Sequence, residues 1–119
     1  MKRITLWTLT VVAAGMFLLA GSLKVIGEPT QVQLFGAIGI GQWFRYLTGS
    51  LEIAGAIGLL VPSAALFAAL LLATVMIGAI ATHLFVVGGN PLMAIVLLAT
   101  TSAIAYLRRE PIGSPVTVV

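Results

Sequence analysis

Cysteine and aspartate are absent from this 119-residue sequence, histidine occurs once (His83), asparagine once (Asn90), and charged residues make up only 8%. Without cysteine there is no disulfide, thiolate metal centre, redox thiol pair or lipid-modified cysteine. Without aspartate, and with a single histidine, no hydrolase constellation of nucleophile, base and orienting acid can be assembled. A pair of histidines at metal-binding spacing is excluded too, and one chain alone cannot hold a haem between two histidines. No glycine-rich phosphate loop joins a strand to a helix. The scarcity of charge is the most restrictive shortage. Soluble domains carry about 25% charged residues, so this chain cannot coat a water-facing surface.

What fills the chain instead is apolar: 61% of residues are hydrophobic, and the mean hydropathy is +1.19. The bilayer is the solvent such a composition calls for. The net charge of +3 resembles the signature of a nucleic-acid binder until it is located. Lys2, Arg3, Arg108 and Arg109, set against Glu110, hold all of it, while Lys24 and Arg45 balance Glu28 and Glu52. Two short basic ends do not make a phosphate-tracking face, so no nucleic-acid partner is expected.

Four segments have the length and apolarity of membrane spans, at residues 4–26, 44–61, 64–87 and 92–107. They are bounded by Gly27, Glu28 and Pro29, by Pro62, by the run from Gly88 to Pro91, and by Arg108 and Arg109. A span needs about 20 residues, so four leave room only for connections and tails. The fold class expected is all-α, an integral membrane four-helix bundle forming a single membrane domain over residues 1–119. The first segment mimics a signal peptide, with a basic start and Ala20, Gly21 and Ser22 near its end. Its apolar run is longer than such a peptide uses, so it is read as a retained span.

An even number of crossings places both termini on one side, and the basic ends assign that side to the cytoplasm. A multi-pass protein of the inner (plasma) membrane follows, with residues 27–43 and 88–91 facing outward. A short interfacial helix is expected from Thr30 to Ala37, begun near Pro29 and ended by Gly36, Gly39 and Gly41. Small residues at four-residue spacing, Thr74, Gly78 and Thr82 in the third span and Ala54 with Gly58 in the second, are expected to bring helices close.

Lys24, Glu28, Arg45, Glu52 and His83 all fall in the outer half of the bilayer. Glu52 lies seven residues beyond Arg45, about 10 Å deeper along a helix at about 1.5 Å per residue. Arg45, Thr48, Glu52 and Leu59 share one helical face because their separations are near multiples of 3.6. An isolated charge in a span costs about 2.5 to 3.5 kcal/mol on insertion scales. Glu52 must therefore face protein and find a partner among Lys24, Arg45 and His83. Such a carboxylate either lines a functional cavity or forms a structural ion pair that fixes helix register.

The stretch from Arg45 to Pro62, RYLTGSLEIAGAIGLLVP, resembles the second-span signature of the DoxX-like membrane proteins. Ala20-Gly21-Ser22-Leu23-Lys24 in the first span and Thr82-His83 in the third resemble it as well. The resemblance implies four membrane helices, and it implies an association with membrane oxidoreductases, including a thiosulfate to quinone oxidoreductase, and with oxidative-stress systems. Carried over by position, its polar residues are Lys24, Arg45, Glu52 and His83; Glu28 and Glu110 match nothing in its pattern.

The function expected is an accessory component that binds a quinone or lipid in an outward-opening polar pocket. Arg45 and Lys24 would hold the polar head, and Glu52 and His83 would exchange protons. Quinone is the candidate cofactor and no metal is called for. The expected partners are the bilayer, oxidoreductase subunits and further copies of the chain. Two other classes stay open: a small membrane enzyme isomerising a hydrophobic substrate by acid–base chemistry, and a structural assembly partner.

Overall fold

The computed structural model describes residues 2–109; Met1 and residues 110–119, with Glu110, lie outside the described residues, as does the side chain of Lys2. Within that range the chain is all-helical, with five α-helices and no strand. The first, α1, runs Lys2–Ile26 and ends where Gly27 turns left-handed at φ +78°. Glu28 then caps the next helix, its carboxylate accepting from the Thr30 amide at 3.2 Å with Pro29 as the first helical residue. A side-chain acceptor and a proline at these positions satisfy the start of a helix. Glu28 is thus a cap and not a free loop residue.

The resulting α2 covers Pro29–Ile38, one residue longer at each end than the segment read from sequence, and closes on Gly39 at φ +88°. The third helix, α3, covers Trp43–Leu59, and Leu60 and Val61 turn away ahead of Pro62. Then α4 covers Ala65–Thr82 and continues as a π-helical turn, His83–Val87, where an unbroken α-helix to 87 was expected. The fifth, α5, covers Leu92–Leu107.

Two of these helices, Arg3–Ile26 and Ala65–Val87 with the π turn included, are long and apolar enough to cross a membrane. The 24 and 23 residues of these spans correspond to about 36 and 34 Å at 1.5 Å per residue. The 17 residues of α3 and 16 of α5 give about 25 and 24 Å, short of the roughly 30 Å of hydrocarbon. Helix α1 lies mainly on α3, α3 on α4 and α4 on α5, with a smaller contact between α5 and α1.

The exterior is as apolar as the interior, unlike that of a water-soluble protein. Much of the core is small, with Ala13, Ala14, Ala56, Ala65, Ala69 and Ala105 buried around Phe17, Leu59, Leu72 and Ile104. Phe67, Ile4 and Phe85 stand 71%, 68% and 83% exposed. Large apolar side chains outside and small ones between helices are what an apolar solvent permits. Buried Thr10 and Thr101 return their hydroxyls to their own helix, at Leu6 O (2.7 Å) and Leu97 O (2.9 Å).

Glycines decide how close the helices come. A Cβ on Gly21 would lie 2.7 Å from the Gly49 carbonyl oxygen, and one on Gly49 would lie 2.9 Å from the Gly21 carbonyl oxygen. These two glycines form the crossing of α1 and α3. Gly55 meets Leu72 and Gly58 meets Ala68 in the same way between α3 and α4. The expected stripe on α4 does not do this: nothing lies within 4 Å of a Cβ built on Gly78, and Thr74 and Thr82 bond back to Leu70 and Gly78 of their own helix. Of the expected pair on α3, Gly58 packs and Ala54 is exposed.

Candidate functional site

The crossing glycines set the position of the charges. The two helices cross antiparallel, with Lys24 against Gly49 and Ile53 against Gly21, so closing the backbones at the glycines lets the Lys24 and Glu52 side chains reach each other across the crossing. Lys24 Nζ lies 2.9 Å from Glu52 Oε1, with the side chains 13% and 2% exposed. The carboxylate is thus sealed within protein, while the ammonium keeps a narrow route outward.

That pair stands in the wall of a cavity of about 450 Å³ between the C-terminal end of α1, the N-terminal end of α5, and α2, α3 and α4. The other polar groups along its wall are Gln31, Thr48, Thr82 and His83. The remainder is apolar, from Leu34, Phe35 and Ile38 on α2, Leu47 and Leu51 on α3, Met76 on α4 and Leu97 on α5, among others. Ligand pockets typically measure about 300 to 1,000 Å³ and combine an apolar lining with a few placed polar groups.

Gln31 Oε1 and His83 Nδ1 are buried without a hydrogen-bond partner among the described residues, and Glu52 Oε1 is met by the Lys24 ammonium as an ion pair but by no aligned hydrogen bond. Buried polar atoms are ordinarily satisfied, so the first two are unsatisfied acceptors carried by residues of the cavity wall. His83 opens the π-helical turn, a local widening of the helix often found at functional positions.

Of the four residues singled out from sequence, Lys24, Glu52 and His83 line this cavity together. Arg45 is only 5% exposed but is committed elsewhere. Its Nε donates to Gln42 Oε1 at 2.8 Å, its Nη1 donates to the Lys24 carbonyl, and the guanidinium lies 4.3 Å from the centre of the Tyr46 ring. A Cβ on Gly27 would touch the guanidinium at 3.3 Å. Arg45 therefore ties the last turn of α1 to the first turn of α3, adding a second donor to a helix-end carbonyl that the Gly27 amide also meets at 3.3 Å. Gln42 extends the same tie, donating from Nε2 to the Val32 carbonyl at 3.1 Å and so anchoring α2. Phe35 of α2 closes edge-on against Phe44 at 5.7 Å, and Trp43 does the same against Phe44.

Gln31 was not singled out from sequence. The available signal was a polar pair, Gln31 and Gln33, in an otherwise apolar, uncharged connection. On α2, Gln31 is half-buried and Gln33 exposed, a division that follows only once the helix lies against α3.

Chemically, the site offers an ammonium donor, a carboxylate acceptor, an amide, a hydroxyl and an imidazole within an apolar enclosure. A quinone head, with carbonyls that accept and hydroxyls on reduction that donate, fits such a donor and acceptor set. Lys24 and Thr48 could donate to it; Gln31 Oε1 and His83 Nδ1 could accept.

The chain is 38% identical over 89 residues to the uncharacterized protein YdgD of Bacillus subtilis (strain 168), an overlap covering 71% of this chain and 78% of that protein. No solved structure matches it. The model of the DoxX-like family matches residues 8–106, taking in every residue of the cavity wall, and the chain belongs to that membrane-associated family.

Proposed function

We propose that the chain is a single-domain, four-span bundle of the inner membrane, with both termini cytoplasmic and the cavity opening toward the outer side. It binds a small amphipathic molecule, a quinone or lipid, as an accessory component of a membrane oxidoreductase or oxidative-stress system. The observation that carries this reading is the Lys24–Glu52 pair set in the wall of a mainly apolar cavity. A purely structural pair would be expected in a filled interior, where nothing but protein could meet it.

In this reading α3 and α5 complete their spans with flanking residues. Interfacial α2 roofs the cavity at headgroup depth, where Trp43 and Tyr46 also sit. Lys24 holds the polar head of the ligand, and Glu52 and His83 exchange protons with it. A bound quinone would supply the electron chemistry; the chain's own residues bind, orient and keep water away. Arg45 is assigned to positioning, because its Nε and Nη1 donate to Gln42 and the Lys24 carbonyl and it does not line the cavity.

The direct 2.9 Å pairing favours a second reading, an assembly partner whose charges only pin helices. Native mass spectrometry of the gently extracted protein, titrated with a short-chain ubiquinone, separates the two. Ala94 lines the cavity and is half-buried, so Ala94→Phe fills space without touching a charge. Under the binding reading the parent takes up the probe, or retains a copurified lipid or quinone, and Ala94→Phe loses that adduct at unchanged helicity. A parent that holds neither, or an Ala94→Phe variant that keeps the full adduct, overturns it.

A further inference from the structure

The opposite end of the molecule carries a second arrangement of charge and apolar surface. There the start of α1 and the end of α5 meet, with the Arg108 guanidinium 5.3 Å from the centre of the Trp7 ring. Arg109 lies 3.8 Å over Tyr106 and donates from Nη1 to the Tyr106 carbonyl at 2.6 Å. Arg108 is spent differently: its Nε and Nη2 are buried and have no hydrogen-bond partner among the described residues. Arg108 as a whole is half-buried, so a small rotation of its guanidinium would present these unpartnered donors as half of a bidentate phosphate or carboxylate contact. The described carboxylates cannot supply the other half. Glu52 is paired with Lys24, and Glu28 caps α2, both at the far end of α1.

Trp7 joins this cation to a shallow groove of about 570 Å³ that runs along α1. Arg3 heads the groove, and Ile4, Trp7, Thr8, Val11 and Val12 line it. Its flanks are apolar and outward, with Ile4, Val11 and Val12 all exposed, and the Thr8 hydroxyl is turned back onto the Ile4 carbonyl at 2.8 Å. Cationic groups therefore stand at one end of an apolar trough, and an indole marks the level between them. The positive end of the α1 dipole lies at the same place.

We propose that this end is a binding site for an anionic phospholipid, whose phosphate is held by Arg108 and Arg3 and whose acyl chain lies along the Ile4-to-Val12 groove. Charge complementarity selects the anionic headgroup, since Lys2, Arg3, Arg108 and Arg109 outnumber Glu110 in the sequence at this end. The groove selects a lipid over a free anion, because inorganic phosphate leaves Ile4, Val11 and Val12 uncovered. The site is separate from the cavity at the other end of α1 and depends on membrane placement alone, not on the cavity's ligand.

The test is thermal unfolding and native mass spectrometry of the full chain in a neutral detergent, with three additions. Dioleoyl phosphatidylglycerol is expected to bind saturably and raise Tm; dioleoyl phosphatidylcholine and inorganic phosphate are expected to do neither. A basic residue near the anionic surface contributes roughly a fivefold factor in affinity, so Arg3→Gln/Arg108→Gln should weaken phosphatidylglycerol binding about 25-fold. If that variant loses helicity, Arg3→Gln alone, at an exposed position, should show the fivefold part. Equal stabilisation by both lipids, a phosphate effect matching that of the lipid, or undiminished binding in the arginine variants would overturn the site.

Discussion

Replacing Lys24 or Glu52 should have unequal consequences, and the inequality follows from their exposure. The pair is 2.9 Å apart, but Glu52 is 2% exposed and Lys24 13%. Breaking a buried pair by removing one partner costs about 3 to 5 kcal/mol, mostly because the survivor is left charged and unsolvated, whereas replacing both with apolar or neutral residues of similar size is often close to neutral. In Lys24→Met the survivor is Glu52, only 2% exposed, so a cost of about 3 to 5 kcal/mol applies. In Glu52→Gln the survivor is an ammonium on a long stem near the end of α1, which can extend toward the interface. Its cost should fall to about 1 to 2 kcal/mol, that of one poorly satisfied polar group. The double variant Lys24→Met/Glu52→Gln should lie within about 1 kcal/mol of the parent, giving a coupling energy of about 3 kcal/mol or more. Reversible unfolding in mixed micelles, followed by helical circular dichroism, measures all four corners of the cycle. The reasoning is refuted if Glu52→Gln is as costly as Lys24→Met, or if the double variant shows the sum of the two single losses.

Two further substitutions examine the supports of the pair. Gly49→Ala places a Cβ 2.9 Å from the Gly21 carbonyl oxygen and the Lys24 Cβ. Part of that clash is with backbone that cannot swing away, so the helices must separate, at about 1 to 3 kcal/mol for overpacking. Gly15→Ala, with nothing within 4 Å of its Cβ, should instead be neutral or up to about 1 kcal/mol stabilising; equal Tm changes would contradict the crossing. Arg45→Lys keeps the charge but cannot reach Gln42 and the Lys24 carbonyl with the same fork. It should lower Tm, with about 1 to 3 kcal/mol lost for a buried charged network, and it should leave quinone or lipid uptake by the surviving folded protein unchanged; a selective loss of uptake would return Arg45 to the ligand.

Much of the architecture was legible because it depends on chain-local physics. Gly27 and Pro29, Pro62, and the run from Gly88 to Pro91 stop helices wherever they occur, and the helix ends fall beside them. The face carrying Arg45, Glu52 and Leu59 was legible from 3.6-residue spacing, and all three are buried. Which cation meets Glu52 was not. Arg45 shares its helix, whereas Lys24 is 28 positions away in sequence, and the choice rests on how close α1 approaches α3. That distance is set by Gly21 facing Gly49, and neither glycine belongs to the small-residue repeats that sequence spacing singles out. Those repeats point instead to Gly58, which does pack against Ala68, and to Gly78, which has nothing within 4 Å of an added Cβ. Spacing within one helix shows which residues share a face, but not what that face meets.

The same crossing accounts for the cavity. Helix α1 is held against α3 by Gly21 and Gly49 near its C-terminal end, and against α5 by Trp7 and Arg108 near its N-terminal end. Pinned to different neighbours at its two ends, α1 leaves space between its C-terminal end and the start of α5. The wedge this opens lies between Ala20 and Lys24 on one side and Met93, Ala94 and Leu97 on the other. Two neighbouring features keep the wedge from closing. Alanines and a glycine on α4 and α5, Gly78, Ala79 and Ala94, contribute too little volume to fill it, and α2, fastened through Gln42, spans its mouth. The ion pair sits where it does because the glycines that draw α1 onto α3 also draw it off α5. The buried charge and the space beside it are thus two results of one packing event, and a substitution that relaxes the crossing should alter both together.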